Sequence, residues 1–296
     1  MDEAKVFSEV LQPVLKEILL CISAEGGHLS LTPEVCQELL QAQAPGPVVE
    51  ELFQAQAPGP VVEPPPVFEG GLCVLGGYPQ RPFYRRLSLS LAYWMVTGTC
   101  PVADLPVMYM LNEGSTVSQR QEKLEAVDCK VVGCHSLWEM WSEDERYCTI
   151  EIILKELDLR GVLDLLGVRC TVGSVPLLPP SQPSLLSSFN SLHHPSARLS
   201  VGGRALSKHS HRDTSDTWWG VCTGGEEDKN RHALMVALKI LKTATWINIH
   251  TLPHDVRVIE VRTMEGYGVR WKHDGSEFRG FLEPQMTDGH TVGWRH

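Results

Sequence analysis

Asp274-Gly275 stands between two strand-like runs, Tyr267–His273 and Ser276–Leu282. A two-residue Asp-Gly connection adopts left-handed backbone angles whose twist matches that of paired strands, so it predicts a β-hairpin. Two more strands are expected just before it, Trp246–His250, stopped by Pro253, and Val256–Thr263. Ahead of these, Glu226-Glu227-Asp228 precede Leu234, Ala237, Leu238 and Leu241 at helical spacing. Acids in a first turn suit the helix dipole, so a helix over about 226–244 is expected. The C-terminal part thus reads as one helix packed on an antiparallel β-meander.

The N-terminal part reads as mainly helical, which makes the chain α+β. Val6, Val10, Leu11, Val14, Leu15, Ile18, Leu19 and Ile22 recur at helical spacing over 5–23, with Pro13 placed to bend or divide that helix. Thr32-Pro33-Glu34 reads as an N-cap and first turn, opening a helix over 33–43. The string QAQAPGPVVE occurs at Gln41–Glu50 and again at Gln54–Glu63. This tandem duplication reads as a solvated linker, since APGP lacks the PxxP spacing of a polyproline-docking ligand. Helices are expected at Arg85–Val96 and Val117–Val127, and strands at Val107–Leu111 and Cys129–Gly133. Ser142 and Glu145 form a capping box ahead of Tyr147, Ile150, Ile153, Leu154 and Leu157, with a further helical turn at Val162–Leu166. Residues 174–200 hold eight serines and five prolines and read as a second linker. The expected organisation is N-terminal helices at 1–43, the duplicated linker at 44–66, a globular part at 67–173, a linker at 174–200 and a His/Trp/Arg-rich module at 201–296.

Charge and cysteine content narrow the function classes. The formal charge is −10, and residues 1–63 carry ten acids against Lys5 and Lys16. A net-acidic chain is a poor non-specific binder of nucleic acid, so nucleic acid is not favoured as a partner, although acids and bases nearly cancel from Val201 to His296 and leave room for a local basic cleft there. The start, Met1-Asp2-Glu3-Ala4-Lys5, lacks the basic and apolar regions of a signal peptide. The longest uncharged run, Leu87–Ala103, is interrupted by Gly98 and Pro101, so no membrane span is expected. Nine scattered cysteines without a secretory signal point to reduced thiols in the cytoplasm or nucleus.

Chemistry-bearing residues crowd the C-terminal module. Lys208, His209, His211 and Arg212 fall within five residues and are followed by Trp218-Trp219-Gly220. On an extended segment His209 and His211 share a face. Gly224-Gly225 reads as the turn into the helix rather than a phosphate loop, because Glu226, Glu227 and Asp228 repel phosphate. Lys229 and Asn230 sit in the first turns of that helix. Eight of the twelve histidines lie in the last 88 residues, which raises a divalent metal as a cofactor. Pro253 argues against a helical pairing of His250 with His254. Glu260 and Arg262 share one strand face, with Arg270 opposite in sign on the next strand. A cross-strand ion pair worth about 0.2–1 kcal/mol is the preferred structural reading. The closing segment, with Phe281, Leu282, His290 and Trp294, looks built to be held. Upstream, Cys129, Cys134, His135, Cys148 and Cys170 are weighed as a zinc set and read instead as ordinary cysteines, with Cys148 in the core.

Two function classes follow. In the first, His209, His211 and Glu260 act as proton-transfer groups. Lys208, Arg212, Lys229, Asn230, Arg262, Arg270 and His290 bind a small anionic ligand bearing phosphate or carboxylate. In the second, the acidic N-terminus and the tryptophan-rich module serve a protein partner, as a non-enzymatic adaptor. The first requires Glu260 and Arg262 to face the 204–230 segment.

Overall fold

The computed structural model describes residues 1–25, 31–43, 69–103, 105–108, 111, 113–192, 194–210 and 218–285. These fall into two compact units, one drawn from residues up to 178 and the other from 179 onward together with 108 and 111.

The first unit is helical: α1 (Asp2–Glu25), α2 (Pro33–Leu40), α3 (Leu72–Leu75), α4 (Tyr84–Thr97), α5 (Gly114–Val131), α6 (Cys134–Leu137) and α7 (Glu143–Leu165). α1 runs through Pro13 undivided. Pro13 and Glu9 are both exposed, so the carbonyl that loses its helical partner lies on the solvent side. The buried stripe of α1 is Ala4, Phe7, Leu11, Leu15, Ile18, Leu19 and Ile22, whereas Val6 and Val10 face outward. It packs chiefly on α4, where Leu87, Leu91 and Trp94 are buried. α4 stops at Gly98, whose left-handed φ of 68° lets its N–H close back on the Trp94 carbonyl. The capping box opens α7 as expected, with Ser142 N–H donating to Glu145 Oε2 at 2.8 Å. Asp158, at φ 48°, kinks α7, and the turn at 162–166 continues the helix beyond that kink.

Both strands expected in this region are absent among the described residues. Residues 105–108 are irregular. Cys129–Val131 finish α5, because the helix formers upstream carry through to Gly133, whose φ of 90° ends the run. Cys148 lies on α7 but is exposed, not in the core. The repeat at 44–63 lies outside the described residues.

The second unit contains α8 (Gln182–Asn190), α9 (Val201–Ser210) and α10 (Glu226–Lys242), followed by β1 (Trp246–Leu252), β2 (Val256–Arg262), β3 (Gly268–Lys272) and β4 (Phe278–Leu282). The strands form one antiparallel meander in the order β1-β2-β3-β4. The serine- and proline-rich stretch therefore contains a helix. Ser181 caps α8, and Leu185, Leu186 and Phe189 are buried. Gly225 is the N-cap of α10, and its N–H donates to Asp228 Oδ2 at 3.1 Å, so the glycine pair is a turn into the helix. At the β3–β4 turn, Gly275 at φ 75° donates to the Lys272 carbonyl at 2.8 Å.

Alternation gives the sheet two unlike faces. Ile247, Ile249, Ile259, Val261, Val269, Trp271 and Phe281 are buried and share one face through their pairing register. Trp271 Nε1 donates to the Leu185 carbonyl of α8 at 3.0 Å, and Phe281 meets Phe189 ring to ring, so this face carries the helices. Each of these apolar side chains contributes about 1.5–3 kcal/mol on burial. The opposite face carries Asn248, His250, Glu260, Arg262 and Arg270.

Candidate functional site

Two polar groups in the second unit touch. The first is on the sheet. Asn248, Glu260 and Arg270 stand side by side on β1, β2 and β3. Arg270 donates from Nε and Nη2 to Glu260 Oε1 at 2.9 and 2.6 Å. Arg262 donates from Nε and Nη2 to Glu260 Oε2 at 3.3 and 3.2 Å. His250 Nε2 lies 3.1 Å from Oε1, close enough for charge attraction without the alignment of a hydrogen bond. Glu260 is buried, which raises its pKa. The His250 contact and the Arg262 and Arg270 charges outweigh that burial and hold the carboxyl down at about 2. Burial pushes the Arg262 pKa down, against the pull of Glu260. The cation side of the cluster remains partly open. The Arg270 side chain is 28% exposed and that of His250 19%.

The second group lies at the sheet end where β4 finishes. His209 Nδ1 sits 3.2 Å from Glu283 Oε1, and Trp219 Nε1 donates to the same oxygen at 2.8 Å. A carboxylate only accepts, so in this contact the proton is on Nδ1. The His209 side chain is 21% exposed. Trp219 is buried and its carbonyl accepts from His232 Nε2 at 2.7 Å. Its ring meets Phe281 edge-on, which seats the dyad on the end of the core. Arg262 joins the two groups, since its Nη1 donates to the carbonyls of Gly266 at 2.7 Å and Glu283 at 3.0 Å.

The expected residues are therefore only partly gathered. Glu260, Arg262 and Arg270 are together, and His209 is linked to them through Glu283. Glu260, expected to transfer protons, has both oxygens in contact with guanidiniums. Lys208 is exposed on α9. Lys229 lies in the first turn of α10, the helix on the far face of the sheet. Asn230 accepts from Ser200 N–H and donates to the Arg198 carbonyl, both at 2.8 Å, and so pins the approach to α9. On β2, Ile259 and Val261 lie on the side that carries α8 and Glu260 and Arg262 on the other, and of the 204–230 segment Arg262 reaches His209 and Trp219 through Glu283, while residues 211–217 lie outside the described residues. His209 sits on a helix rather than on an extended segment. His211, Arg212 and His290 lie outside the described residues. Among the described residues no three His, Cys, Asp or Glu side chains are grouped to hold a metal ion. Sequence reasoning missed Glu283, Trp219 and His250 as members. Only for His250 was there a signal, in the alternation that places it on the Glu260 face.

Both groups fall inside one stretch that matches a family model. Residues 190–283 match the family model of the CdiA C-terminal tRNase toxin domain. The match covers α9, α10 and all four strands, and less than half of the chain. No curated protein and no solved structure matches. The match overturns the site for a small phosphate- or carboxylate-bearing ligand and the adaptor reading, and with them the expectation that nucleic acid is disfavoured. Residues 190–283 carry thirteen Lys and Arg against eleven Asp and Glu, although the whole chain stands at −10. A phosphate responds to the local field, not to the sum over the chain. No helix among the described residues is long and apolar enough to cross a membrane.

Proposed function

We propose that the C-terminal unit is a ribonuclease and that its substrate class is tRNA. The observation that carries this reading is the match of residues 190–283 to a tRNase toxin domain. The arrangement of polar groups supports it. RNA carries its own nucleophile, the 2′-hydroxyl. Cleavage through it needs a group to take that proton, a group to protonate the departing 5′-oxygen, and cations beside the phosphate. His209 transfers a proton at Nε2 while Glu283 holds the ring through Nδ1. Arg270, fixed by Glu260 yet partly exposed, meets backbone phosphate, and His250 stands beside it. Such an enzyme works in the cytoplasm, where tRNA is found.

The test is cleavage of purified tRNA by the full chain, with and without Mg²⁺, read on a denaturing gel against His209→Ala and His250→Ala. Cleavage by the parent, lost in His209→Ala with the fold intact by circular dichroism, supports the reading. A parent that leaves tRNA intact under both conditions overturns it. Activity lost in His250→Ala but kept in His209→Ala moves proton transfer to the sheet face.

A further inference from the structure

The proton-transfer dyad has an aromatic neighbour that the chemistry above does not use. Trp218 and Tyr267 stack face to face, with centroids 4.2 Å apart and planes at 11°. The other ring pairs of this unit are tilted or edge-on, the usual packing of a core. Both stacked rings are half-buried, whereas Trp219, which braces them edge-on at 4.8 and 5.2 Å, is fully buried. The pair is carried on turns, with Gly220 at φ 69° and Gly266 at φ 92°. Over Trp218 lies Lys239 Nζ, 4.9 Å from the ring centroid. Lys239 is exposed on α10 and forms no ion pair with a carboxylate among the described residues. Trp219 touches both Trp218 and His209, the latter at 5.7 Å, so the stack stands one ring away from the dyad.

A half-buried, stacked aromatic pair with an ammonium over it suits a ligand that is itself flat and anionic. We infer that Trp218, backed by Tyr267, is a platform for one unpaired nucleobase of the RNA, and that Lys239 moves off the ring to the adjoining phosphate. Stacking accepts any base, because every base presents a π-face. The platform sets which nucleotide lies beside His209, and so where the strand is cut. It rests on the ribonuclease reading.

The experiment uses the full chain carrying His209→Ala, so that RNA is bound without being cut. Anisotropy of a labelled single-stranded oligoribonucleotide is compared with that of an abasic oligomer of the same length. Adding Trp218→Ala is expected to weaken the base-bearing oligomer about tenfold, equivalent to about 1.4 kcal/mol, and to leave the abasic one unchanged. Trp218→Phe, which keeps an aromatic face, is expected to stay within about threefold, and Tyr267→Ala to follow Trp218→Ala. Equal binding by Trp218→Ala and its parent overturns the platform, as does an equal loss on both oligomers. Cleavage of tRNA by the wild-type chain with no effect of Trp218→Ala on binding removes the platform alone. A chain that neither binds nor cuts RNA removes the ribonuclease reading and the platform together.

Discussion

Arg270 faces Glu260 across the β2–β3 ladder and places two hydrogen bonds, 2.9 and 2.6 Å long, on a single carboxylate oxygen. The other oxygen is taken by Arg262, which reaches on to the Glu283 carbonyl. One buried acid thus orients two guanidiniums and ties the middle of the sheet to the end that holds His209.

That arrangement fixes a pH dependence. The Glu260 carboxyl ordinarily titrates near 4.5 and stands at about 2 in the folded protein. A depressed pKa stabilises the fold fully above the unfolded value and loses that contribution as pH falls through the folded one, here between about 4.5 and 2. The shift corresponds to about 3 kcal/mol. Urea denaturation at pH 7 and pH 3 should show this acid sensitivity in the wild type and a much flatter response in Glu260→Gln. At pH 7, Glu260→Gln should be less stable by about 3–5 kcal/mol, because it leaves two guanidiniums without their anion. Equal stability of the two proteins at pH 7 would contradict the assignment.

Trp271→Phe tests the attachment of α8. The indole N–H donates to the Leu185 carbonyl, and Phe removes that donor while keeping an aromatic ring. The carbonyl keeps the Ser188 hydroxyl as a donor at 3.0 Å, so the cost is that of one hydrogen bond, about 0.5–1.5 kcal/mol, with a smaller addition for the volume lost. The thermal midpoint should fall, and the amides of Leu185 and Leu186 should exchange faster than those of β2. An unchanged midpoint would mean that α8 is held by its apolar contacts alone.

The meander was legible because its signals are local. Asp274-Gly275 defines a turn within two residues, and the acids at Glu226–Asp228 define a helix start within one turn. The capping box at Ser142 is another such case. The strands expected at Val107 and Cys129, absent among the described residues, have the same origin in reverse. Short β-branched runs look like strands until the helix or loop around them is known. The site was harder to read because its contacts are long-range. Glu260 to Arg270 spans ten residues and follows from the hairpin register, so it was visible. His209 to Glu283 spans 74 residues and depends on α9 packing against the end of β4, for which the sequence has no marker. Alternation shows that Glu260 and Ile259 point opposite ways, but not which of the two sides the helices cover.

The β1–β2 connection carries backbone strain that can be relieved. His254 and Asp255 have φ of 66° and 56°, in the left-handed region. An L-residue there pays about 1–2 kcal/mol relative to glycine, partly offset by the greater freedom of glycine in the unfolded chain. His254→Gly should therefore raise stability by up to about 1 kcal/mol, seen as a higher midpoint in urea with an unchanged slope. A lower midpoint would show that the imidazole makes a contact worth more than the strain.

The dyad itself yields the prediction that separates chemistry from packing. In Glu283→Gln the amide still offers an oxygen to the Trp219 indole, so the end of the sheet should remain folded. It no longer offers a negative charge to the proton on His209 Nδ1, so the imidazolium formed during proton transfer loses its counter-charge. Removing the imidazole with His209→Ala should slow tRNA cleavage by about 10²–10⁴-fold, the usual contribution of a positioned acid or base. Glu283→Gln should slow it by less, since the proton carrier remains and only its orientation and charge support are lost. Glu283→Ala also deprives the Trp219 N–H of its partner and should lose stability as well as rate. Single-turnover rates and thermal midpoints for the three variants place each on these two axes. A Glu283→Gln protein that cleaves as fast as wild type would show that the carboxylate only packs against Trp219, and that His209 works without it.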